Sequence, residues 1–268
     1  MLDVEFGQAT HPGKVRTNNE DATGFFVPQS RQEGRARGWL FALADGVGGM
    51  DLGEVAAAKA IEVICREFPE ASENTSLLSL LPRLIQHANA AVHDESLVRE
   101  RRGKGMATTV VACALRHDQA YVAHVGDSRC YHVRAGKATA VTQDHTWVNE
   151  QRKLGLISSE EVATSDQRHV LTRALGRELF VSADTTSVGL CAGDRLILCC
   201  DGLYGGLDAR EIGSIASQDA NPEELARELV LRSVDADGSD NTTAMVVAIR
   251  SVEAMAMYRG RLYPRPGG

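Results

Sequence analysis

The sequence lacks the features that mark secreted, membrane-spanning or nucleic-acid-binding proteins. Its six cysteines show no C-x-x-C pair and no disulfide-framework spacing, and no apolar run approaches the roughly 20 residues of a membrane span. Residues 1–7 have neither the basic start nor the apolar stretch of a signal peptide. Lys and Arg number 29 against 36 Asp and Glu, a balance that disfavours nucleic acid as a partner. We therefore expect a cytoplasmic protein in a reducing compartment.

The chain is long enough for one large hydrophobic core. It has 268 residues, of which 43% are hydrophobic, and it contains no internal repeat or low-complexity segment. We predict a single domain over residues 1–254. Residues 255–268 are basic and rich in Pro and Gly, so we predict a frayed C-terminal tail there.

Aspartates recur where apolar, strand-like runs meet glycine-containing turns. The runs 39–44, 120–125 and 195–200 end just before Asp45, Asp127 and Asp201, and Asp240 stands just before the run 243–249. An Asp-Gly step alone is typical of a hairpin turn. Because a buried, unpaired carboxylate is costly, however, acids gathered at several strand ends need a cation or solvent. The joint pattern predicts one metal site.

The candidate ligands narrow the choice of ion. Carboxylate and backbone carbonyl oxygens, without thiolate or imidazole partners at motif spacing, favour Mg²⁺ or Mn²⁺ over zinc. Gly46 directly follows Asp45 and has no side chain to shield its carbonyl. The alternating ligand pattern of a calcium-binding EF-hand loop is absent.

Arg16 adds a second kind of chemistry. It lies four and five residues before Glu20 and Asp21 in the segment R16-T-N-N-E-D21. A guanidinium can bind two phosphate oxygens in a planar fork, although a surface arginine is the ordinary alternative. The segment therefore favours phosphate binding only in combination with the acids.

Hydrophobic periodicity predicts a mixed α/β chain with antiparallel sheets. We expect strands within 3–45 joined by a hairpin loop over 31–38, and a meander of strands at 107–115, 119–125 and 128–134. Further strands are predicted at 193–200 and 243–250. Helices are predicted at 51–66, 76–101, 208–217 and 222–234.

Taken together, the motifs resemble those of the metal-dependent protein phosphatase family, the protein phosphatase 2C type, and most closely its short bacterial members. The match runs in order from about Gly7 to about Ile249. Its main segments are V15-R-T-N-N-E-D-A22, A44-D-G-V-G-G49, M106-A-T-T-V110, A123-H-V-G-D-S-R-C-Y131, V141-T-Q-D-H-T146, V170-L-T-R-A-L-G176, L198-C-C-D-G-L203 and G238-S-D-N-T-T243. The resemblance implies an α+β fold: a four-layer αββα sandwich of two antiparallel sheets flanked by helix pairs.

The resemblance also implies two Mg²⁺ or Mn²⁺ ions and a weaker third. The implied metal ligands are Glu20, Asp21, Asp45, Gly46, Asp127, Asp201 and Asp240. Asp45 would bridge the two principal ions, and the Gly46 carbonyl would complete the second.

The remaining ligands follow from the same resemblance. Asp201 and Asp240 would hold the first ion, and Asp127 would help Asp201 to hold the third. Glu20 and Asp21 match the family's acidic pair near the second ion, and the sequence does not rank them. Arg16 would bind the substrate phosphate.

The implied activity is hydrolysis of phosphoserine and phosphothreonine in proteins by a metal-held water, without a phosphoenzyme. No Cys-x₅-Arg loop of the thiol phosphatases is present. The expected partners are phosphorylated proteins, including a cognate serine/threonine kinase and its targets, and we expect a monomer. Two alternatives stay open: an inactive scaffold of the same fold, and an enzyme for small phosphate esters.

Two regions depart from the resemblance or extend it. Val47 stands where many relatives carry a histidine that is a candidate proton donor, so another group must serve; His145 and a metal-bound water are candidates. Residues 146–186 correspond to the family's variable flap, to which the resemblance assigns an influence on substrate choice; a short structural insertion is the open alternative. Basic clusters at 31–37 and 99–104 are either solvated loops or contacts for an acidic phosphopeptide.

Overall fold

The computed structural model describes residues 2–47, 52–73, 75–100, 105–158, 161, 165, 167–253, 255–258 and 261–264. The strands are β1 (Asp3–His11), β2 (Asp21–Phe26), β3 (Trp39–Asp45), β4 (Val110–Arg116), β5 (Gln119–Val125), β6 (Arg129–Arg134), β7 (Lys137–Ala140), β8 (Asp184–Gly189), β9 (Arg195–Cys199), β10 (Thr242–Ser251), β11 (Met255–Tyr258) and β12 (Arg261–Pro264). The helices are α1 (Arg31–Ala36), α2 (Gly53–Glu67), α3 (Leu77–Glu100), α4 (Trp147–Lys153), α5 (Asp201–Gly206), α6 (Ala209–Ala216) and α7 (Pro222–Ala236).

Two five-stranded sheets, in which every described strand pair is antiparallel, form the centre of the fold. The first sheet has the order β1-β10-β9-β6-β7 and the second has the order β2-β3-β4-β5-β8. Helices α2 and α3 contact the second sheet, whereas α6 and α7 contact the first. The predicted αββα sandwich is therefore confirmed.

Three hydrophobic clusters separate the four layers. One lies between the second sheet and helices α2 and α3, one between the two sheets, and one between the first sheet and helices α5 to α7. Strand β3 contributes to two of them, because Leu40 and Ala42 face the helices while Phe41 and Leu43 face the other sheet. Successive side chains point to opposite faces of a strand, so a strand covered on both faces is apolar throughout. This explains the uninterrupted apolar run that precedes Asp45.

The helices begin where the sequence supplies caps. At α7 the Asn221 side chain accepts from the Glu224 N–H, the Glu224 side chain accepts from the Asn221 N–H, and Pro222 occupies the first turn. Helix α6 has the same reciprocal cap from Asp208 and Glu211. Helix α3 continues through Pro82, which lies near its start. The predicted ends of α2 and α3 at Asp51 and Arg101 lie outside the described residues.

The predicted loop at 31–38 is wrong, because a short helix forms there. Helix α1 covers most of this segment, and the Ser30 hydroxyl accepts from the Glu33 N–H at 3.2 Å to cap it. Its side chains are not buried, so hydrophobic periodicity gave no signal for a helix.

The predicted three-stranded meander is also wrong in one respect. Strands β4 and β5 pair in the second sheet, but β6 joins the first sheet, where it pairs with β7 and β9. The crossing occurs at Gly126, whose φ of +102° favours glycine; a Cβ there would lie 2.6 Å from the Thr109 side chain. Sequence alternation does not reveal which of two sheets a strand joins.

Several elements were not predicted. They are the short strand β7, the edge strand β8 that begins inside the 146–186 segment, and helices α4 and α5. In the C-terminal tail, predicted to be frayed, β11 and β12 pair as an antiparallel hairpin. All six cysteines are free thiols. In the part of the chain that the structure describes, no helix has the length and apolar character needed to cross a bilayer.

Candidate metal centre

The second sheet brings two of the predicted acids together. Asp21 is the first residue of β2, Asp45 is the last residue of β3, and the two face each other in the antiparallel register. A carboxylate oxygen of each lies within 4.8 Å of the other and of the Cys200 sulfur. The pairing of two strands thus places two acids at one end of the sandwich.

The first sheet brings three more acids to the same end. Asp201 follows β9 and Asp240 precedes β10, which are neighbouring antiparallel strands. Asp127 lies two residues before β6, whose first residue, Arg129, is in register with Cys199 near the end of β9. Antiparallel neighbours start and end at alternating edges, so the end of one strand and the starts of its two neighbours converge.

A pocket of about 640 Å³ opens at this end of the molecule. Six of the predicted site residues line it: Arg16, Asp45, Gly46, Asp127, Asp201 and Asp240. Asp21 adjoins Asp45 beneath the pocket. Glu20 lies beside Gly46, because the Gly46 N–H donates to the Glu20 carbonyl at 3.1 Å. The structure therefore brings all the predicted site residues into one region.

The acids of this region repel one another. Burial, and then repulsion from Asp21, raise the pKa of Asp45 well above its ordinary range. Burial also raises the pKa of Asp21 to about 7 and that of Asp127 to about 8, with further repulsion from Asp201. Among the described residues, the buried Oδ1 of Asp21 has no hydrogen-bond partner. A set of oxygen ligands with raised pKa values and an unpartnered buried oxygen fits hard divalent cations.

A flap residue joins the acids of the first sheet. The Nδ1 atom of His169 lies 3.4 Å from Oδ2 of Asp201, and both lie within 4.8 Å of an Asp127 oxygen. The hydrogen bond to Asp201 raises the pKa of His169. His169 and Arg168 line the pocket from the flap. Sequence reasoning missed His169, because a lone histidine in a polar segment carries no spacing signal.

Comparison with known proteins decides the family. The family model for protein phosphatase 2C matches residues 7–242. The chain belongs to the protein phosphatase 2C family. Serine/threonine phosphatase stp of Listeria innocua is 32% identical over 260 residues, which cover 94% of this chain and 96% of the relative.

Solved structures agree with this membership. The Mycobacterium tuberculosis serine/threonine phosphatase PstP is similar with a TM-score of 0.81 and 30% identity, over 93% of this chain and all of that one. The catalytic domain of PstP has also been solved with two manganese ions, at a TM-score of 0.77 and 30% identity, over 93% of this chain and 99% of that one. The family and the sandwich fold predicted from the sequence are confirmed.

Within this protein phosphatase 2C fold, polar residues of the family motifs fix Asp45. The Thr108 hydroxyl and the Thr109 N–H each donate to the Asp45 carbonyl at 2.8 Å, and the Asp45 N–H donates to the Thr109 hydroxyl at 3.3 Å. The Thr109 hydroxyl also bonds Ser128 at 2.6 Å, next to Asp127. The two threonines therefore tie an acid of one sheet to the turn that carries an acid of the other.

Asn241 holds the segment that carries Arg16 and Glu20. Its amide donates to the carbonyls of Pro12 and Asn18 at 3.0 and 2.8 Å, and its side-chain oxygen accepts from the Glu20 N–H at 2.8 Å. Asn241 is almost fully buried, so the three bonds are partly shielded from water. Asn241 therefore acts as a positioning residue. The sequence motif contains Asn241 but did not indicate this role.

Arg16 has a partner at this end of the sandwich. Its Nη2 atom donates to Oδ2 of Asp240 at 2.8 Å, and both side chains are about 40% exposed. Arg16 lines the pocket together with Gly46 and Asp201. A partly exposed guanidinium beside acids is placed to meet an incoming phosphate.

Cys200 and His145 contact the site without lining the pocket. Burial raises the pKa of the Cys200 thiol well above its ordinary value, so the thiol remains protonated. Nδ1 of His145 accepts from the Gly126 N–H at 3.1 Å, and its Nε2 lies 3.2 Å from Asp184. Burial, and then the neighbouring His124, lower the pKa of His145 to about 4. Through these contacts His145 supports the turn at Gly126 as a structural hydrogen-bonding residue. Val47 lines the wall of the pocket.

Proposed function

We infer that this chain is a Mg²⁺- or Mn²⁺-dependent protein phosphatase that hydrolyses phosphoserine and phosphothreonine. The observation that carries this conclusion is the convergence of acids from both sheets on one open pocket, with raised pKa values and an arginine at its rim. Perturbed acids in a cleft are the physical mark of a functional site. Membership of the protein phosphatase 2C family supplies the reaction class.

We propose the following ligands for the ions. Asp45 would be shared by two ions and the Gly46 carbonyl would help to hold the second, while Asp201 and Asp240 would hold the first. Their common position at the pocket supports this assignment.

Three further acids complete the proposed ligand set. Glu20 and Asp21 serve the second ion directly or through water; Asp21 lies against Asp45 and Glu20 lies against Gly46. Asp127 and Asp201 hold a weaker third ion. Their carboxylate oxygens lie within 4.8 Å of each other.

The ions, when bound, lower the pKa of a coordinated water and neutralise charge that develops on the phosphoryl group. Arg16 contributes what the ions do not: its fork binds two non-bridging oxygens and orients the ester for in-line attack. Thr108, Thr109 and Asn241 keep the ligands in place through partly buried hydrogen bonds. The reaction needs no protein nucleophile, in line with the absence of a Cys-x₅-Arg loop.

The proposed substrates are folded phosphoproteins, including a cognate serine/threonine kinase and its targets. The open pocket and the flap residues Arg168 and His169 that line it favour an extended substrate over a small ester. We propose that residues 1–254, with the flap at about 146–186, form the catalytic domain of a monomer and that residues 255–268 are a tail. Six free thiols favour the cytoplasm as its compartment.

The test is phosphate release from a phosphothreonine peptide and from a folded phosphoprotein, with Mn²⁺ or with EDTA. We expect release by the wild type with Mn²⁺ and none by Asp45→Ala or Asp240→Ala, with circular dichroism confirming that each variant is folded. Equal activity of wild type and variants would contradict the proposed site. A folded wild type that releases no phosphate would favour the scaffold. Higher activity on free phosphothreonine than on the folded phosphoprotein would favour the small-ester enzyme.

A further inference from the structure

A second cavity adjoins the metal pocket. It has a volume of about 380 Å³, and Arg168, His169 and Gly205 line both spaces. We call it the side cavity; its other lining residues include Arg129, Asp144, Arg152 and Tyr204. A peptide whose phosphate lies in the metal pocket would therefore place a neighbouring residue at the side cavity.

In one wall of the side cavity, an arginine and an aspartate already neutralise each other's charge. Arg129 donates from Nε and Nη2 to the two carboxylate oxygens of Asp144 at 2.9 and 2.6 Å, and its guanidinium stacks 3.5 Å above the centre of the Tyr204 ring. Asn149 donates to the same carboxylate at 3.4 Å. This bidentate, stacked pair leaves Asp144 without capacity to neutralise a further arginine.

The other two arginines of the side cavity have no carboxylate partner among the described residues. Nε of Arg168 donates to Nε2 of His169 at 2.8 Å, so its terminal nitrogens stay open. Arg152 is exposed near the end of α4 and forms no side-chain hydrogen bond or ion pair in the described part of the chain. Three arginines against one aspartate give the cavity a net positive charge beside the reaction site.

Arg152 also has a structural reason to be basic, because cations near a helix C-terminus are favoured by the helix dipole. Lys153 shares that position and charge but does not line the side cavity. A comparison of variants at Arg152 and Lys153 therefore separates the effect of charge at the helix end from the effect of binding in the side cavity. A guanidinium fork that faces a concave space matches a carboxylate or a phosphate.

We propose that the side cavity binds a second anionic group of the substrate, a carboxylate or a phosphate on a residue near the scissile phosphoresidue. Arg152 is its specificity-determining contact, with Arg168 beside it. The inference rests on the proposed phosphatase function and names the class of its substrates: phosphoproteins that are acidic, or doubly phosphorylated, around the target residue. Of the basic clusters singled out in the sequence, the one at 31–37 lies elsewhere, because Arg35 is paired with Glu253 in a different cavity. Residues 101–104 of the other cluster lie outside the described residues.

The experiment compares kcat/KM for a set of phosphothreonine peptides with the Mn²⁺-loaded full chain. The set contains a neutral peptide, peptides with one Asp at each flanking position, matched Asn peptides, and peptides with a second phosphothreonine that is protected as a non-hydrolysable phosphonate. We expect at least one Asp or phosphonate position to raise kcat/KM about five-fold over its neutral match, the upper range for a partly exposed ion pair. The two acidic arms separate a carboxylate preference from a phosphate preference.

The variants assign the preference to Arg152. In Arg152→Gln the acidic-to-neutral ratio should fall to near one, in Arg152→Glu it should fall below one, and in Lys153→Gln it should match the wild type. Two results would overturn the inference: a wild type without preference, or Arg152→Gln and Lys153→Gln with the same ratio. Hydrolysis of the neutral peptide without any preference would defeat this inference alone. No hydrolysis of any peptide would defeat the proposed function first.

Discussion

Two buried aspartates at opposite ends of the first sheet differ in whether cationic side chains neutralise their carboxylates. Asp194, just before β9, receives Nε and Nη2 of Arg134 at 2.8 and 2.6 Å and the Cys191 N–H at 2.8 Å, and His132 lies 3.0 Å away. Asp127 is buried to a similar degree, but its carboxylate receives no hydrogen bond from a described side chain.

The pKa values of these two aspartates move in opposite directions. Burial, the largest single influence, raises the pKa of Asp194, yet Arg134, the Cys191 N–H and His132 together outweigh burial and lower it. At Asp127 burial acts with repulsion from Asp201, and the pKa rises to about 8. A protein that pairs its buried acids at one end and leaves them unpaired at the other has a site for added cations at the second end.

The largest effect should come from removing one unpaired acid. Asp45→Asn should lower kcat at least about a thousand-fold, the scale of losing a main electrostatic group of an active site. In EDTA the same variant should unfold at a higher temperature than the wild type, because it removes a repulsive buried carboxylate. Phosphate release and thermal unfolding measure the two effects. A lower melting temperature in EDTA would show that Asp45 is satisfied without ions.

The Arg16–Asp240 pair is an exception at the metal end, and it sharpens the comparison. Arg16→Lys keeps the charge but loses the planar fork, so kcat/KM should fall about a hundred-fold through misplacement of the phosphate. The matched control is Arg250→Lys, since Arg250 forms a similar exposed pair with Glu5 away from the pocket. Equal losses in the two variants would argue against phosphate binding by Arg16.

At the paired end, Asp194→Asn should cost stability and leave catalysis intact. It leaves Arg134 and His132 without their carboxylate, and we expect a loss of about 2 kcal/mol in the free energy of unfolding, less than for a fully buried pair because Arg134 is half exposed. Urea unfolding measures the loss, and kcat per folded molecule should equal that of the wild type. A drop in kcat would mean that the two ends are coupled.

The smallest expected effect is the change with pH in the stability of the ion-free protein. The folded-state pKa values of Asp21 and Asp127, about 7 and about 8, exceed the ordinary value of about 3.9, so the folded state binds more protons between these limits. Stability in EDTA should therefore fall as pH rises from about 4 to about 8. With Mn²⁺ the trend should vanish or reverse, because the ligands bind ions only when deprotonated. Stability in EDTA that is flat across this range would contradict the raised pKa values.

Sequence reasoning succeeded where the signal is local. The apolar run of β3 followed by Asp45 and Gly46 predicts both a buried strand and an acid at its end, and the same holds for β9 and Asp201. Local patterns also placed α7, whose cap residues stand beside its apolar face.

Other features depend on contacts that the sequence does not encode locally. Strand β6 changes sheets because of one glycine with a positive φ, and alternation is the same in either sheet. His169 meets Asp201 across 32 positions of the sequence, a contact that no local pattern encodes. The side cavity at Arg152 likewise arises from packing between α4 and the segment after β9.

The most direct test of the account is calorimetric titration of Mn²⁺ into the ion-free wild type and into the variants Asp45→Asn and Asp194→Asn. We predict that the wild type and Asp194→Asn bind two ions per chain with similar affinity, and that Asp45→Asn loses this binding although it remains folded. If the wild type binds no Mn²⁺, or if Asp45→Asn binds it as the wild type does, the acids at this end of the sandwich are not a metal centre.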